Sequence, residues 1–85
     1  MCTYVTTTVE VSGSAKGPDG WFPATKATVY YDHPVHAPDA HTVNIDFLAP
    51  ERGPASRIAV ELSLDSAREL LAALQMTVER AKFHM

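Results

Sequence analysis

Arg57-Ile58-Ala59-Val60-Glu61-Leu62-Ser63-Leu64-Asp65-Ser66-Ala67-Arg68-Glu69-Leu70-Leu71 is the stretch in which the chain changes its period. Up to Leu62 the apolar residues alternate, with Ile58, Val60 and Leu62 on one side. That is the pattern of a half-buried strand. Beyond Ser63, Ala67, Leu70, Leu71, Leu74, Val78 and Ala81 recur at helical spacing and form one apolar stripe. Arg68, Glu69, Gln75, Glu79 and Lys82 fall mostly on the wet side. Ser63 or Ser66 caps the helix. Ser66 with Glu69 would complete a capping box, so the register stays open between the two.

Three more strands are expected before this switch. Thr42–Leu48 alternates, with Val43, Ile45 and Phe47 inward and Asn44 and Asp46 outward. Thr25–Tyr31 puts Ala27, Val29 and Tyr31 on one side and Lys26, Thr28 and Tyr30 on the other. Tyr4–Val11 is rich in β-branched residues and is expected to end at Ser12-Gly13. Between the first two strands, residues 13–23 read as a loop. Pro18-Asp19-Gly20 forms its turn, because proline presets φ and glycine accepts positive φ. Trp21 and Phe22 are expected to tuck under that loop as a lid on the core. Residues 32–41 read as a loop stiffened by Pro34 and Pro38, and residues 49–56 as a turn.

Four antiparallel strands followed by one amphipathic helix define an α+β fold. The expected arrangement is a two-layer one, with the C-terminal helix packed on one face of the sheet. The other face would carry Thr6, Thr8, Glu10, Lys26, Thr28, Tyr30, Asn44, Asp46 and Glu61. It is polar enough for water, and could equally be a dimer contact or the floor of a shallow site.

The 85 residues give a single domain, 1–85, with a thin core. Folds of this size often gain stability from disulfides, a metal or oligomerisation. An intrachain disulfide is excluded because Cys2 is the only cysteine. Seven basic residues against ten acidic ones leave a net charge of −3, which argues against a nucleic-acid partner. No apolar run reaches the ~20 residues of a membrane span. Met1–Thr8 lacks the basic and apolar regions of a signal peptide. A lone cysteine fits the reducing cytoplasm.

One cluster stands out chemically. Asp32-His33-Pro34-Val35-His36-Ala37-Pro38-Asp39-Ala40-His41 places three imidazoles in a His-x2-His-x4-His spacing. Neutral imidazole suits zinc, copper, nickel and iron. Three imidazoles with an open fourth position is the plan of catalytic zinc sites. The expected ligands of a divalent transition metal, zinc first, are His33, His36 and His41, with Cys2 as a fourth ligand or a bound water in its place. Asp46 and Asp32 are the other candidates. The duller reading is a solvated loop, with Cys2 as a small buried hydrophobe. An open site would make the protein a metalloenzyme; no catalytic residue can be named, and whether the chain is an enzyme stays open.

Weaker features carry their own rivals. Ser12-Gly13-Ser14-Ala15-Lys16-Gly17 could cradle an anion, but it lacks the phosphate-loop pattern and precedes a strand. Arg52 and Arg57 could bind a carboxylate, with plain surface charge as the default. Trp21, Phe22 and Tyr30 could line a pocket for a small-molecule ligand, with His33 or His36 as general base. A further reading is a non-enzymatic homodimeric binding or assembly module without metal, in which the sheet's polar face or edge strands meet a second copy.

The opening Met1-Cys2-Thr3-Tyr4, the segments Ser12–Gly17, Gly20-Trp21-Phe22-Pro23 and Ala27-Thr28-Val29-Tyr30, the run His33-Pro34-Val35-His36-Ala37-Pro38 through His41, and Asn44-Ile45-Asp46-Phe47 belong together. They resemble a family of short actinobacterial proteins of unknown function. The likeness covers nearly the whole chain, and the histidine run is its most specific part. It implies a small free-standing cytoplasmic protein and carries no activity or ligand.

Overall fold

The computed structural model describes residues 6–32 and 41–84. Four strands form one antiparallel sheet in the order β1-β2-β3-β4. They are β1 (Thr7–Gly17), β2 (Gly20–Asp32), β3 (Thr42–Leu48) and β4 (Arg57–Leu62), followed by the helix α1 (Leu64–Ala81). This is the expected α+β arrangement, with the helix as a second layer that meets the sheet at β3 and β4. Short 3-10 turns occupy Pro50–Arg52 and Lys82–His84.

β3, β4 and α1 begin and end close to where the periodicity put them. Ser63 is the N-cap: its hydroxyl accepts the backbone N–H of Ser66 at 3.1 Å. That bond satisfies one of the helix's orphan donors, a contribution of about 1 kcal/mol. Ser66 is therefore inside the helix, which settles the register.

The first hairpin differs from expectation. Residues 13–23 are not a loop; both strands run through them to a two-residue turn at Pro18 and Asp19, with Gly17 paired to Gly20. Proline in the second position and glycine in the fourth is the preference of a tight type I turn. Gly20 takes φ of +111°, a conformation that L side chains rarely adopt. β1 also gains one residue relative to β2 between Glu10 and Gly13. Before this bulge Thr7 and Val9 pair with Val29 and Ala27; after it Gly13 and Ala15 pair with Ala24 and Phe22. A bulge bends its strand and increases the local twist. β1 accordingly reaches β4, although the two lie at opposite edges of the sheet.

That curl builds the core. Phe22, Ala24 and Ala49 are buried together, with Val11, Ala15 and Ile58 packed against them. The aromatic lid is thus only half right: Phe22 is 6% exposed, whereas its neighbour Trp21 is 69% exposed. Trp21 pairs with Lys16 and so points away from the side that Phe22 shares with Ala15. The Thr25 hydroxyl donates to the Glu51 carboxylate at 2.9 Å, tying β2 to the turn after β3.

Burial in β3 runs against the pattern, whereas in β4 Ile58 and Val60 are less exposed than Arg57 and Ala59, as expected. Asn44 and Asp46, expected to face water, are buried in β3, and so is Thr42. The Thr42 hydroxyl donates to the Asn44 carbonyl oxygen at 2.6 Å. Arg57 donates to both oxygens of Asp46, at 3.2 and 3.1 Å. The row is tolerated because each member has a hydrogen-bond partner, Thr42 and Asn44 in each other and Asp46 in Arg57. The Arg57 side chain is half exposed, so the pair is partly screened. Replacing Arg57 by Ala should still destabilise the fold by about 1–2 kcal/mol, because it strands the buried Asp46 carboxylate. Asp46→Asn should cost less, since Arg57 can turn to water. Urea unfolding of both variants checks that order.

Candidate functional site

The structure answers the histidine question at one position. His33, His36 and Cys2 lie outside the described residues. His41 precedes β3, is half-buried, and stacks on Tyr31 with ring centroids 5.5 Å apart and planes 24° from parallel. Its Nε2 atom is buried. Among the described residues no three His, Cys, Asp or Glu side chains gather closely enough to hold a metal. Asp46 and Arg57, each a candidate for binding, are paired with one another at 3.1 Å.

The other candidates disperse. Ser12–Gly17 is strand, not an anion cradle. Trp21 and Phe22 both border a cavity of about 120 Å³ with Gly17, Asp19, Gly20, Arg52, Ala55 and Ser56. Tyr30 is absent from it; its register position is opposite Asn44. A shallow apolar groove of about 290 Å³ runs along the bulge of β1, lined by Val11, Ser12, Gly13, Ser14, Ala15, Ala24 and Phe47.

The largest feature is apolar surface. Paired residues share a face, so the register defines one continuous face over four strands. One row is Val9, Ala27, Phe47 and Ile58; the next is Thr7, Val29, Ile45 and Val60; the third is Tyr31, Val43 and Leu62. It carries no charged side chain. Only Ala27 is buried, and Val9, Val29, Tyr31 and Phe47 are 36–46% exposed. Inward and outward sets were separated correctly, but the face expected to be the core is half open: Val9, Val29, Tyr31 and Phe47 are exposed, while Ile58 of the same face packs against the core.

α1 repeats the finding. Leu70, Leu71, Leu74 and Val78 are 41–65% exposed, and no residue of the helix is buried. The physical cause is the connection. Ser63 alone separates β4 from α1, so the helix starts at the sheet's edge and approaches chiefly β3 and β4. On these exposures the helix stripe with Leu64 leaves on the order of 500 Å² of apolar surface open, and the sheet face roughly 300 Å² more; a soluble monomer seldom leaves more than a few hundred contiguous. The sequence signal for this surface was present as the stripe and the alternation. Both were assigned to a core that one chain does not close.

Among the described residues no helix is long and apolar enough to cross a membrane. No curated protein and no solved structure matches the chain. The sequence model of a family of unknown function, DUF6295, matches residues 1–85, and the chain belongs to that family.

Proposed function

We propose that this protein is a non-enzymatic homodimeric assembly module, in which a second copy covers the apolar surface of the first. The observation that carries this reading is the exposed stripe Leu70-Leu71-Leu74-Val78 beside a charge-free, half-exposed sheet face. Helix and sheet together offer roughly 800 Å² per chain, which is one partner's share of a standard stable interface. Among the described residues the core of a single copy is small, with Phe22 its only large buried side chain. Dimerisation is the supplement that a thin core needs. A dimer that unfolds to monomers has a concentration-dependent melting temperature. Thermal unfolding between ~1 and ~100 µM should therefore shift upward with concentration. A midpoint that stays constant across that range would count against the dimer.

A second reading is favoured by His41, whose ring is held against Tyr31 at the rigid start of β3 with Nε2 buried. In it His33, His36 and His41, with Cys2 as fourth ligand or a water in its place, bind a divalent transition metal, zinc before copper, nickel or iron. The two readings are compatible, since a metal can sit at a subunit interface. Elemental analysis should find about one equivalent of metal per chain, and none in the His33→Ala/His36→Ala/His41→Ala variant. A wild type that takes up no metal after reconstitution would discard this reading alone. Cytoplasmic residence, supported by the lone cysteine, and actinobacterial origin, supported by the motif resemblance, accompany either reading.

A further inference from the structure

The geometry points to a specific dimer: each subunit's α1 lays its stripe on the apolar sheet face of the other subunit, a reciprocal helix-on-sheet exchange. The inference rests on the homodimer proposed above and names its contact.

Three symmetric pairings of these surfaces exist. Helix against helix buries the two stripes and leaves both sheet faces wet. Sheet against sheet buries the faces and leaves both stripes wet. Only helix against sheet covers both the stripe and the sheet face in one closed two-fold interface, with the same patch pair used twice. The dimensions agree. The 18 residues of α1 span about 27 Å, and the seven residues of β3 about 24 Å. One helix therefore covers the length of the central strands. The single-residue link at Ser63 limits how far a helix can turn back over its own β1 and β2, and α1 makes its main sheet contacts with β3 and β4 of its own chain. A short connection of this kind favours pairing between chains over closure within one. Charge agrees as well. The sheet face carries no charged side chain, while Arg68, Glu69, Glu79 and Lys82 lie off the stripe, where they would stay in water at the rim.

The test uses the full chain and two variants. Leu71→Asp/Leu74→Asp removes the stripe, and Val29→Asp/Phe47→Asp removes the face. Sedimentation velocity should show a dimeric wild type, with each variant weakened at least 100-fold on its own. The ¹⁵N-labelled helix variant keeps an intact face, and the unlabelled sheet variant keeps an intact helix. Mixing them at hundreds of micromolar should shift sheet-face amides of the labelled chain. Should the aspartates unfold the sheet, Val9→Thr/Val29→Thr keeps strand propensity and should weaken the dimer 3- to 30-fold, by order of magnitude. A sheet variant that dimerises as well as wild type means helix-on-helix pairing and overturns the exchange. A helix variant that does so means sheet-on-sheet and overturns it equally. Absence of amide shifts in the mixture, beside a dimeric wild type, also overturns it. A monomeric wild type would instead remove the homodimer itself.

Discussion

Leu71→Asp/Leu74→Asp should convert the dimer to a monomer and leave the fold of that monomer almost untouched. Leu71 and Leu74 are 65% and 56% exposed in the single chain, so neither contributes much to its stability. Aspartate is a poorer helix former than leucine, which costs the isolated chain less than about 1 kcal/mol for the two positions together. The interface loses far more. Each leucine transferred from water into a contact is worth ~1.5–3 kcal/mol, and each aspartate would have to leave water or hold the surfaces apart. Because both subunits carry the change, four leucines are lost, and a combined loss of about 6–12 kcal/mol raises the dissociation constant on the order of 10⁴- to 10⁹-fold. Sedimentation velocity reads the association, and urea unfolding at low micromolar concentration reads the fold. Equal association in variant and wild type would exclude α1 from the interface.

Phe22→Ala should have the largest effect on folding. Its ring is the only large side chain in a buried cluster otherwise made of Ala24 and Ala49, with Val11, Ala15 and Ile58 at its margin. The ring also lies close to the backbone at the hairpin turn, where a Cβ on Gly17 would approach it to 3.4 Å. Small neighbours fixed in strands cannot collapse into the space, so the truncation should cost about 3–5 kcal/mol. Against the ~5–15 kcal/mol of a typical domain, that leaves the protein close to unfolding at room temperature. Trp21→Ala is the control. Its side chain is mostly in water, and its removal should change stability by less than about 1 kcal/mol. Calorimetry of the two variants distinguishes adjacent aromatic residues with opposite roles. Comparable losses would mean that Trp21 is covered in solution, which a subunit contact could do.

The contrast between those two residues shows what sequence can carry. Alternation in Thr42–Leu48 and Arg57–Leu62, and the stripe from Ala67 to Ala81, are local signals, and the elements formed where they indicated. Residues 12–23 misled because Gly13, Gly17, Pro18, Gly20 and Pro23 are individually loop-forming, yet a bulge and a two-residue turn absorb them inside a continuous hairpin. Period two also separates side chains into two sets without saying which set is covered. Asn44 and Asp46 are buried because a hydroxyl and a guanidinium satisfy them, and such partners come from residues distant in sequence or from a face the pattern cannot assign. The candidate site was legible in the same limited sense. His41 was placed correctly at the start of β3, and its stacking on Tyr31 had no sequence signal. The stripe was identified residue by residue, but whether a helix covers its own sheet depends on the length of its link, here one serine.

The most direct measurement is sedimentation equilibrium of the wild-type protein from ~5 to ~200 µM. A mass of twice the 9.3 kDa chain, or one rising toward it with concentration, is the expected result. A mass of 9.3 kDa at every concentration would contradict the account, because the apolar stripe and sheet face would then be stable in water without a second copy.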